Sequence, residues 1–376
     1  MPIQRIPAIF ARGGTSKGVF FHAKDLPAQT TARDEIFLRV LGSPDPYQRQ
    51  LNGMGGGISS LSKAVVIEPS YREDADVDYT FAQIAVDQPV VDYAQACGNL
   101  SSAVGPFAVD EGLIQVADGP AIVRVYSTNA RQIYHAHFEV RDGITVEDGT
   151  YTMSGVGGQG APIKLEYLRP GGAITGKFLP GDGAVQTVSV PSIGAVEVSL
   201  VDATNPVVFV AASAVGLTGT ELPDAIEAMP GMMAKLDQLR RVCGVACAMA
   251  STPASVPLAN PKIALLYPSC DYTTLSGESV PASAFDIGVR MVSMERIHRA
   301  VTGTGAMCLG AAAQVPDSVP HQLARARNGE PIRIGSPSGV LDVSAAVSQT
   351  ETGALDVDSI TVFRTQRRLM EGWVRC

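Results

Sequence analysis

The chain has 376 residues, a formal charge of −8, 45% hydrophobic and 18% charged residues, with 38 glycines and 25 prolines. That is enough length and apolar content for two domains, with the many turns of a strand-rich protein. It has no cluster of Lys and Arg for nucleic acid, no apolar run near the ~18 residues that cross a bilayer, and no h-region of a signal peptide.

Taken in chain order, Arg5 to Phe10 and Gly18 to His22 read as strands, joined by Ala11-Arg12-Gly13-Gly14-Thr15-Ser16-Lys17. Thr31 to Leu41 has helical spacing. Gly53-Met54-Gly55-Gly56-Gly57-Ile58 follows as a tight loop, then a short strand from Leu61 to Ile67 with Lys63 near its start. Val77 to Val86 and Val90 to Tyr93 are further strands. Cys97-Gly98-Asn99 precedes a run in which Leu100, Ala103, Val104, Phe107 and Ala108 share one apolar stripe, so a helix ends near Gly112. Ala121 to Tyr126 and Ile133 to Val140 alternate at strand period. The Gly-rich stretch from Met153 to Gly183 places a domain boundary near residue 187, giving domains 1–187 and 188–376.

The second half replays the first. Val196 to Leu200, the turn at Ala203-Thr204-Asn205-Pro206, and Val207 to Ala211 repeat strand, turn, strand. Glu221 to Ala250 is mostly helical, interrupted near Pro230-Gly231. Lys262-Ile263-Ala264-Leu265-Leu266 resembles Lys63-Ala64-Val65-Val66-Ile67. Phe285 to Ser293 leads through His298 and Thr302-Gly303-Thr304-Gly305 into an apolar helix holding Cys308. A period this long means a duplicated fold, since solenoid repeats run ~20–50 residues. Two helix N-termini facing across a cleft would then make one anion site from two halves.

The motifs differ in what they can do. Arg12 to Gly18 is not a nucleotide loop, because Gly follows Lys17 where Ser or Thr is required, and Gly53 to Ile58 lacks the last glycine of a dinucleotide fingerprint. Both are loops presenting N–H groups; Arg12, Thr15, Ser16 and Lys17 can bind a carboxylate, or the segment can be a solvated turn. Lys63 opens a fully apolar strand, where lost hydration favours the neutral amine a base needs; the plainer reading is an edge lysine with its head in water. Cys97 before a helix start has unpaired N–H groups and a positive dipole end beside it, which activates a thiol and holds an anion; the plainer reading is a small buried cysteine at a turn. His135 and His137 share a strand face but have no carboxylate or cysteine nearby in sequence, so no metal site is assigned. Asn129 is a turn cap or a pocket residue, His298 a weak site candidate, and Cys243 and Cys247 are core. The six cysteines form no C-x-x-C, which fits reduced thiols in a cytoplasmic protein better than zinc.

Ala11-Arg12-Gly13-Gly14-Thr15-Ser16-Lys17-Gly18-Val19-Phe20-Phe21 resembles the opening signature of the PrpF-type 2-methylaconitate cis-trans isomerase family. So do Gly53-Met54-Gly55-Gly56 with Ser62-Lys63, and Cys97-Gly98-Asn99-Leu100-Ser101. Gly160-Ala161-Pro162-Ile163-Lys164-Leu165 and Met291-Val292-Ser293-Met294 through His298 to Gly303-Thr304-Gly305-Ala306 are also similar. The resemblance runs in order along nearly the whole chain. It implies an α+β, diaminopimelate-epimerase-like fold of two pseudo-symmetric domains, each a curved sheet around a central helix, with the active site in the interdomain cleft. It implies no cofactor and no metal, and a catalytic lysine and cysteine at Lys63 and Cys97. Where the epimerases carry a second catalytic cysteine, this chain has Thr302-Gly303-Thr304-Gly305, which disfavours a two-thiol mechanism. Thr204 departs from the family's usual glycine before Asn205.

The expected reaction is therefore isomerisation of small unsaturated di- and tricarboxylates. Lys63 takes an allylic proton, and Cys97 returns one or polarises a carboxylate. Charge collects on a carboxylate held by donors drawn from Ser16, Lys17, Gly98, Asn99, Arg290 and Gly303 to Gly305, with Arg12, Thr15 and Asn205 completing the expected binding set. The expected partner is a small-molecule tricarboxylate, with no nucleic acid or membrane, and a homodimer as a candidate assembly. The alternatives are a 4-oxalomesaconate tautomerase or 1,3-allylic isomerase, a two-base amino-acid racemase needing an opposed thiol pair, and a non-catalytic carboxylate-binding protein.

Overall fold

Alternation builds the strands: in Gly119–Ser127, Ala121, Val123 and Val125 are buried while Ile122 and Arg124 face outward. The computed structural model describes residues 4–94, 97–258, 260–293, 296–325 and 330–376. Met294, which belongs to a motif above, lies outside the described residues. The chain divides into two compact units, Met1–Tyr167 with Phe363–Cys376, and Leu168–Val362. Composition places the division near 187, whereas here the C-terminal strand Gln366–Arg375 pairs with Arg5–Gly13 and so belongs to the first unit.

In the first unit, Arg5–Gly13 pairs antiparallel with Ser16–His22, which runs parallel to Lys63–Pro69. Lys63–Pro69 is antiparallel to Val77–Ile84, and that strand is parallel to Gly119–Ser127. Gln132–Arg141 and Ile163–Leu168 complete the order, each antiparallel to its predecessor. Helix Thr30–Leu41 lays Ile36, Phe37, Val40 and Leu41 on one face of this sheet, against Val19, Phe21, Ala64 and Val66. The sequence spacing read that helix to within one residue. The expected strand at Val90 to Tyr93 is reduced to Val91–Asp92.

The other element, helix Val104–Asp110, is preceded by a 3-10 turn over Leu100–Ala103. Val104 to Val109 are all buried, which marks a central helix enclosed on every side, not one with a single apolar stripe. Phe20 packs on Phe107 at 5.9 Å between ring centroids. Gly105 permits the closest approach: a Cβ there would stand 2.8 Å from the Phe138 ring and 2.9 Å from Ala136.

The second unit repeats this pattern. Gly194–Asp202 pairs antiparallel with Pro206–Ala211, which is parallel to Lys262–Pro268. Lys262–Pro268 is antiparallel to Ile287–Ser293, which is parallel to Ile332–Ser336. Gly339–Gln349 and Leu355–Arg364 follow, again antiparallel. Helix Met232–Ala246 covers one face with Leu236, Leu239 and Cys243, and helix Gly303–Ala312 is buried from Gly305 onward. Gly310 lies against Val343, where a Cβ would come within 2.3 Å of a methyl. The duplication read from the sequence is thus reproduced strand by strand, with the same parallel and antiparallel joins. Among the described residues no helix is long and apolar enough to cross a membrane.

Candidate functional site

In the first unit the turn from Arg12 to Gly18 organises the site residues. It is tight because Gly14 adopts a positive φ of 53°. Its glycines let other segments close on it. A Cβ on Gly13 would meet the Asn99 carbonyl oxygen at 2.7 Å and the Leu100 Cα at 2.9 Å. A Cβ on Gly18 would stand 3.0 Å from both the Lys63 carbonyl oxygen and a Leu100 methyl. Asn99 Nδ2 donates to Thr15 Oγ1 at 3.0 Å. Lys63 and the Cys97-Gly98-Asn99 segment therefore border one turn, although 34 positions separate Lys63 from Cys97.

Lys63 is 7% exposed. Its amine donates to Gln83 Oε1 at 2.7 Å and sits 4.8 Å above the Phe81 ring. Gln83 is opposite Lys63 in the antiparallel register, and its own amide donates to the carbonyls of Ser59 and Ser62. Lys63 is therefore neither snorkelling nor loose. Sequence reading missed Gln83, because the loop between the two strands conceals their register.

Cys97 is 8% exposed. Its sulfur accepts at 3.5 Å from the amide of Leu100, the first residue of the 3-10 turn. Its carbonyl accepts from Ser101 N and Oγ and from the Tyr79 hydroxyl. Burial pushes the Tyr79 phenol well above its ordinary value, so it stays a neutral donor. The amides of Gly98 and Asn99 have no acceptor among the described residues, leaving two adjacent N–H groups beside the sulfur.

The remaining first-unit candidates divide. Arg12 Nη1 donates to the Gly14 and Thr365 carbonyls, so part of its guanidinium holds the turn in shape. Ser16 is buried, and the Lys17 amine sits 5.6 Å over the Phe10 ring. The Gly53 to Gly57 loop wraps the buried Gln50, whose amide reaches Ser43 and Ser62 and whose carbonyl takes the Gly57 amide. Asn129 is a structural cap, bonded to Phe81 N, Phe81 O and Tyr93 O. His135 and His137 do have a carboxylate beside them: the adjoining strand brings Glu166 Oε2 to 3.2 Å from His137 Nε2. The candidate ligand atoms of these three lie within 4.8 Å of one another. Lys164 is 3.8 Å from the other Glu166 oxygen, so the group is an ion-pair network with its own cation.

In the second unit, helix Gly303–Ala312 starts at Thr302, whose Oγ1 accepts from Gly305 N at 3.1 Å. Gly305 leaves room for Met291, whose Sδ a Cβ would meet at 2.3 Å. The amides of Gly303 and Thr304 have no acceptor among the described residues. Thr204 Oγ1 donates to the Thr304 carbonyl, tying the turn before Pro206–Ala211 to this helix start. Thr204 holds a positive φ of 66°, which explains why glycine also suits that position. Asn205 Nδ2 donates to Asn260 Oδ1 and the Pro206 carbonyl. His298 Nδ1 accepts from Ala300 N, and burial lowers its proton affinity.

One expectation needs correction, and the second-unit thiol accords with the doubt cast on a two-thiol mechanism. Arg290 is not a substrate donor: it is 0% exposed, and its nitrogens donate to the Glu221, Thr220 and Val289 carbonyls and to the Tyr267 hydroxyl. Tyr267 and Tyr272 rings lie 5.3 and 5.5 Å from its guanidinium carbon. This places it as the polar centre of an aromatic core, where so many buried donors must all be paired. Cys308 cannot serve as an opposed thiol. It is 0% exposed, donates to the Val201 carbonyl at 3.4 Å, and burial pushes its thiol far up. Cys243 and Cys247 are core as expected, and burial takes Cys247 up to about 12.

The family model described as PrpF protein matches residues 3–376. The chain is similar to a 2-methyl-aconitate isomerase of Cupriavidus necator, 39% identical over 390 residues, covering 100% of this chain and 98% of the relative. A solved methylitaconate-delta-isomerase superposes with a TM-score of 0.87 at 38% identity, covering 100% of this chain and 96% of the other. A hydroxyproline epimerase from Agrobacterium vitis superposes with a TM-score of 0.56 at 13% identity, over 99% and 92%, and shares the fold alone. The fold is thus α+β and diaminopimelate-epimerase-like.

Proposed function

Because the chain belongs to the PrpF family, we propose that it isomerises small unsaturated di- and tricarboxylates of the 2-methylaconitate and methylitaconate type. It is an isomerase, and the substrates named for its relatives are alkenes bearing carboxylates. The allylic C–H of such a molecule is weakly acidic, so a base alone does not suffice. Lys63 takes that proton, and the electron pair moves through the double bond onto the conjugated carboxylate. The resulting dienolate is held by the Gly98 and Asn99 amides; one preorganised donor of this kind lowers a barrier by ~3–4 kcal/mol. The Cys97 thiol polarises the same carboxylate or returns a proton. Return at the original carbon after rotation changes geometry; return at the far carbon moves the double bond. Ser16, Lys17 and Thr15 line the turn that receives the remaining carboxylates. Every step uses side chains and amides of this chain, with no cofactor, in a cytoplasmic setting.

What supports this reading is that the Lys63 backbone, the Asn99 carbonyl and Leu100 all close on the Arg12–Gly18 turn, with the Lys63 amine held by Gln83 and the Cys97 sulfur accepting from the Leu100 amide. Cys308 is sealed, which speaks against it as a second thiol for racemisation. The test is turnover of 2-methylaconitate, trans-aconitate and 4-oxalomesaconate by the wild type and by Lys63→Ala, followed by proton NMR in deuterium oxide. Lys63→Ala is expected to be folded and inactive, and the wild type to place solvent deuterium at the allylic position. Near-wild-type turnover by folded Lys63→Ala removes the assigned base.

A further inference from the structure

The outer face of the sheet in the first unit carries a group of side chains that the isomerase reading does not use. Along Gln132–Arg141, Tyr134, Ala136 and Phe138 are buried, and Ala136 and Phe138 pack on the central helix at Gly105. Alternation therefore turns His135 and His137 to the opposite face, away from that helix. The neighbouring strand Ile163–Leu168 alternates in the same way, so Lys164 and Glu166 share this face. The register sets Glu166 against His135 and Lys164 against His137. Glu166 Oε2 leans to within 3.2 Å of His137 Nε2, and the two imidazole centroids are 6.2 Å apart. One nitrogen of each ring and one Glu166 oxygen lie within 4.8 Å of one another, the one set of three potential metal ligands so placed among the described residues.

Two imidazoles and a carboxylate suit a divalent transition metal, whereas calcium and magnesium take oxygen ligands. Zinc bonds of ~2.0–2.2 Å place two ligands of a tetrahedral ion about 3.3–3.5 Å apart. The His137–Glu166 pair already has nearly that spacing. The third ligand closes by about 1.5 Å at most, within reach of a small rotation of the His135 ring. The His137 and Glu166 side chains are 25% and 26% exposed, so an ion enters from solvent and water completes its coordination. One charge competes. The Lys164 amine is 3.8 Å from Glu166 Oε1, beyond hydrogen-bond reach, so it neutralises the carboxylate without fixing it. Arg124, which pairs with His135 from the other side, is turned to Asp76 by bonds of 2.7 and 3.1 Å. Lys164 is therefore the cation that an incoming ion displaces.

We propose that His135, His137 and Glu166 bind one divalent transition metal ion of the zinc or nickel type, which clips Gln132–Arg141 to Ile163–Leu168 on the outer face of the sheet. Each imidazole gives the ion a nitrogen lone pair, Glu166 gives one oxygen, and the Lys164 amine moves out to water. The ion is a staple and takes no part in turnover. Two strands, Val77–Ile84 and Gly119–Ser127, stand between Gln132–Arg141 and the strand that Lys63 opens. At ~4.8 Å per strand this is about 14 Å along the sheet. The sequence shows two histidines without a carboxylate nearby; the strand register supplies one from 29 positions further on.

The test is calorimetric titration of chelator-treated protein with zinc chloride and with nickel chloride, for wild type, His135→Gln, His137→Gln and Lys164→Met, each checked for folding by circular dichroism. Wild type is expected to bind one equivalent. Either histidine substitution is expected to weaken binding by roughly a hundredfold or more, since a partner outside the ligand set already costs ~10–100-fold. Lys164→Met is expected to tighten binding by roughly two- to fivefold, the weight of a half-exposed ion pair. Hydrogen exchange of the Ile163–Leu168 amides is expected to slow with zinc in wild type and to stay unchanged in His137→Gln. Turnover is expected to be the same before and after chelation. A wild type that binds neither ion overturns the site, as does binding that survives both histidine substitutions or that Lys164→Met weakens. Turnover lost on chelation and restored by zinc overturns the staple role.

Discussion

Gln83→Met tests whether Lys63 works because it is held. The substitution keeps the length and apolar stem of the side chain while deleting three hydrogen bonds. One is the 2.7 Å bond from the Lys63 amine; the others run from Gln83 Nε2 to the Ser62 carbonyl at 2.9 Å and the Ser59 carbonyl at 3.0 Å. A bond from a charged amine is worth ~1.5–3 kcal/mol and each neutral one about 0.5–1.5 kcal/mol. Ser59 and part of Gln83 face water, which replaces some of the loss, so a net destabilisation of about 2–3 kcal/mol is expected in urea unfolding. The amine keeps its seat over the Phe81 ring at 4.8 Å but loses its direction. Misdirection of a reacting group by a fraction of an ångström lowers kcat by roughly ten- to a hundredfold, or about 1.4–2.7 kcal/mol of barrier. Proton NMR of the allylic hydrogens measures kcat and KM together, and KM is expected to stay within about threefold, because Gln83 meets the amine and not the substrate. Gln83→Glu serves as the second arm: it keeps the geometry and adds a negative charge that holds the amine as the ammonium ion, depleting the neutral base, so it is expected to be the less active and the more stable of the two. A Gln83→Met protein destabilised as stated but with kcat within twofold of wild type refutes the idea that this bond positions the base.

Thiol chemistry offers a second check. Iodoacetamide under native conditions is expected to modify Cys97 in step with activity loss while sparing Cys308, which is sealed and whose thiol burial holds in the neutral form; Cys308→Ala is expected to retain turnover within about threefold, and mass spectrometry that finds Cys308 labelled first contradicts the assignment. A third concerns acid stability. Burial raises the Asp286 carboxyl, but its bonds with Arg333 outweigh this and hold it below the usual carboxylate range. A depressed acid stabilises the fold above its unfolded value and loses that contribution as pH falls through the folded one, so wild-type Tm is expected to drop more steeply than that of Asp286→Asn below about pH 4. Parallel Tm profiles for the two proteins argue against that linkage.

Much of this protein is readable from local pattern. Alternating and helical spacing locate most strands and the helix over Thr30–Leu41, because one-sided burial writes its period directly into the chain. The duplication is legible because both halves order their elements alike. Pairing is not legible in the same way. Gln83 and Glu166 have no motif of their own, and each acquires its meaning from the strand register that sets it against Lys63 or His137. Arg290 misled for the same reason: a lone arginine in an apolar strand reads as a ligand donor, and only the arrival of Thr220, Glu221 and Tyr267 from elsewhere shows its nitrogens already occupied.

The amino-acid order alone thus determined which elements form, that they occur twice, and which residue types are available for proton transfer. The three-dimensional packing decided which of those residues are free to act. The physical reason is that a side chain's hydration and hydrogen-bond partners are set by neighbours distant in sequence, so Lys63 is held by Gln83, the Arg290 nitrogens are already occupied, and Cys308 is closed off from solvent.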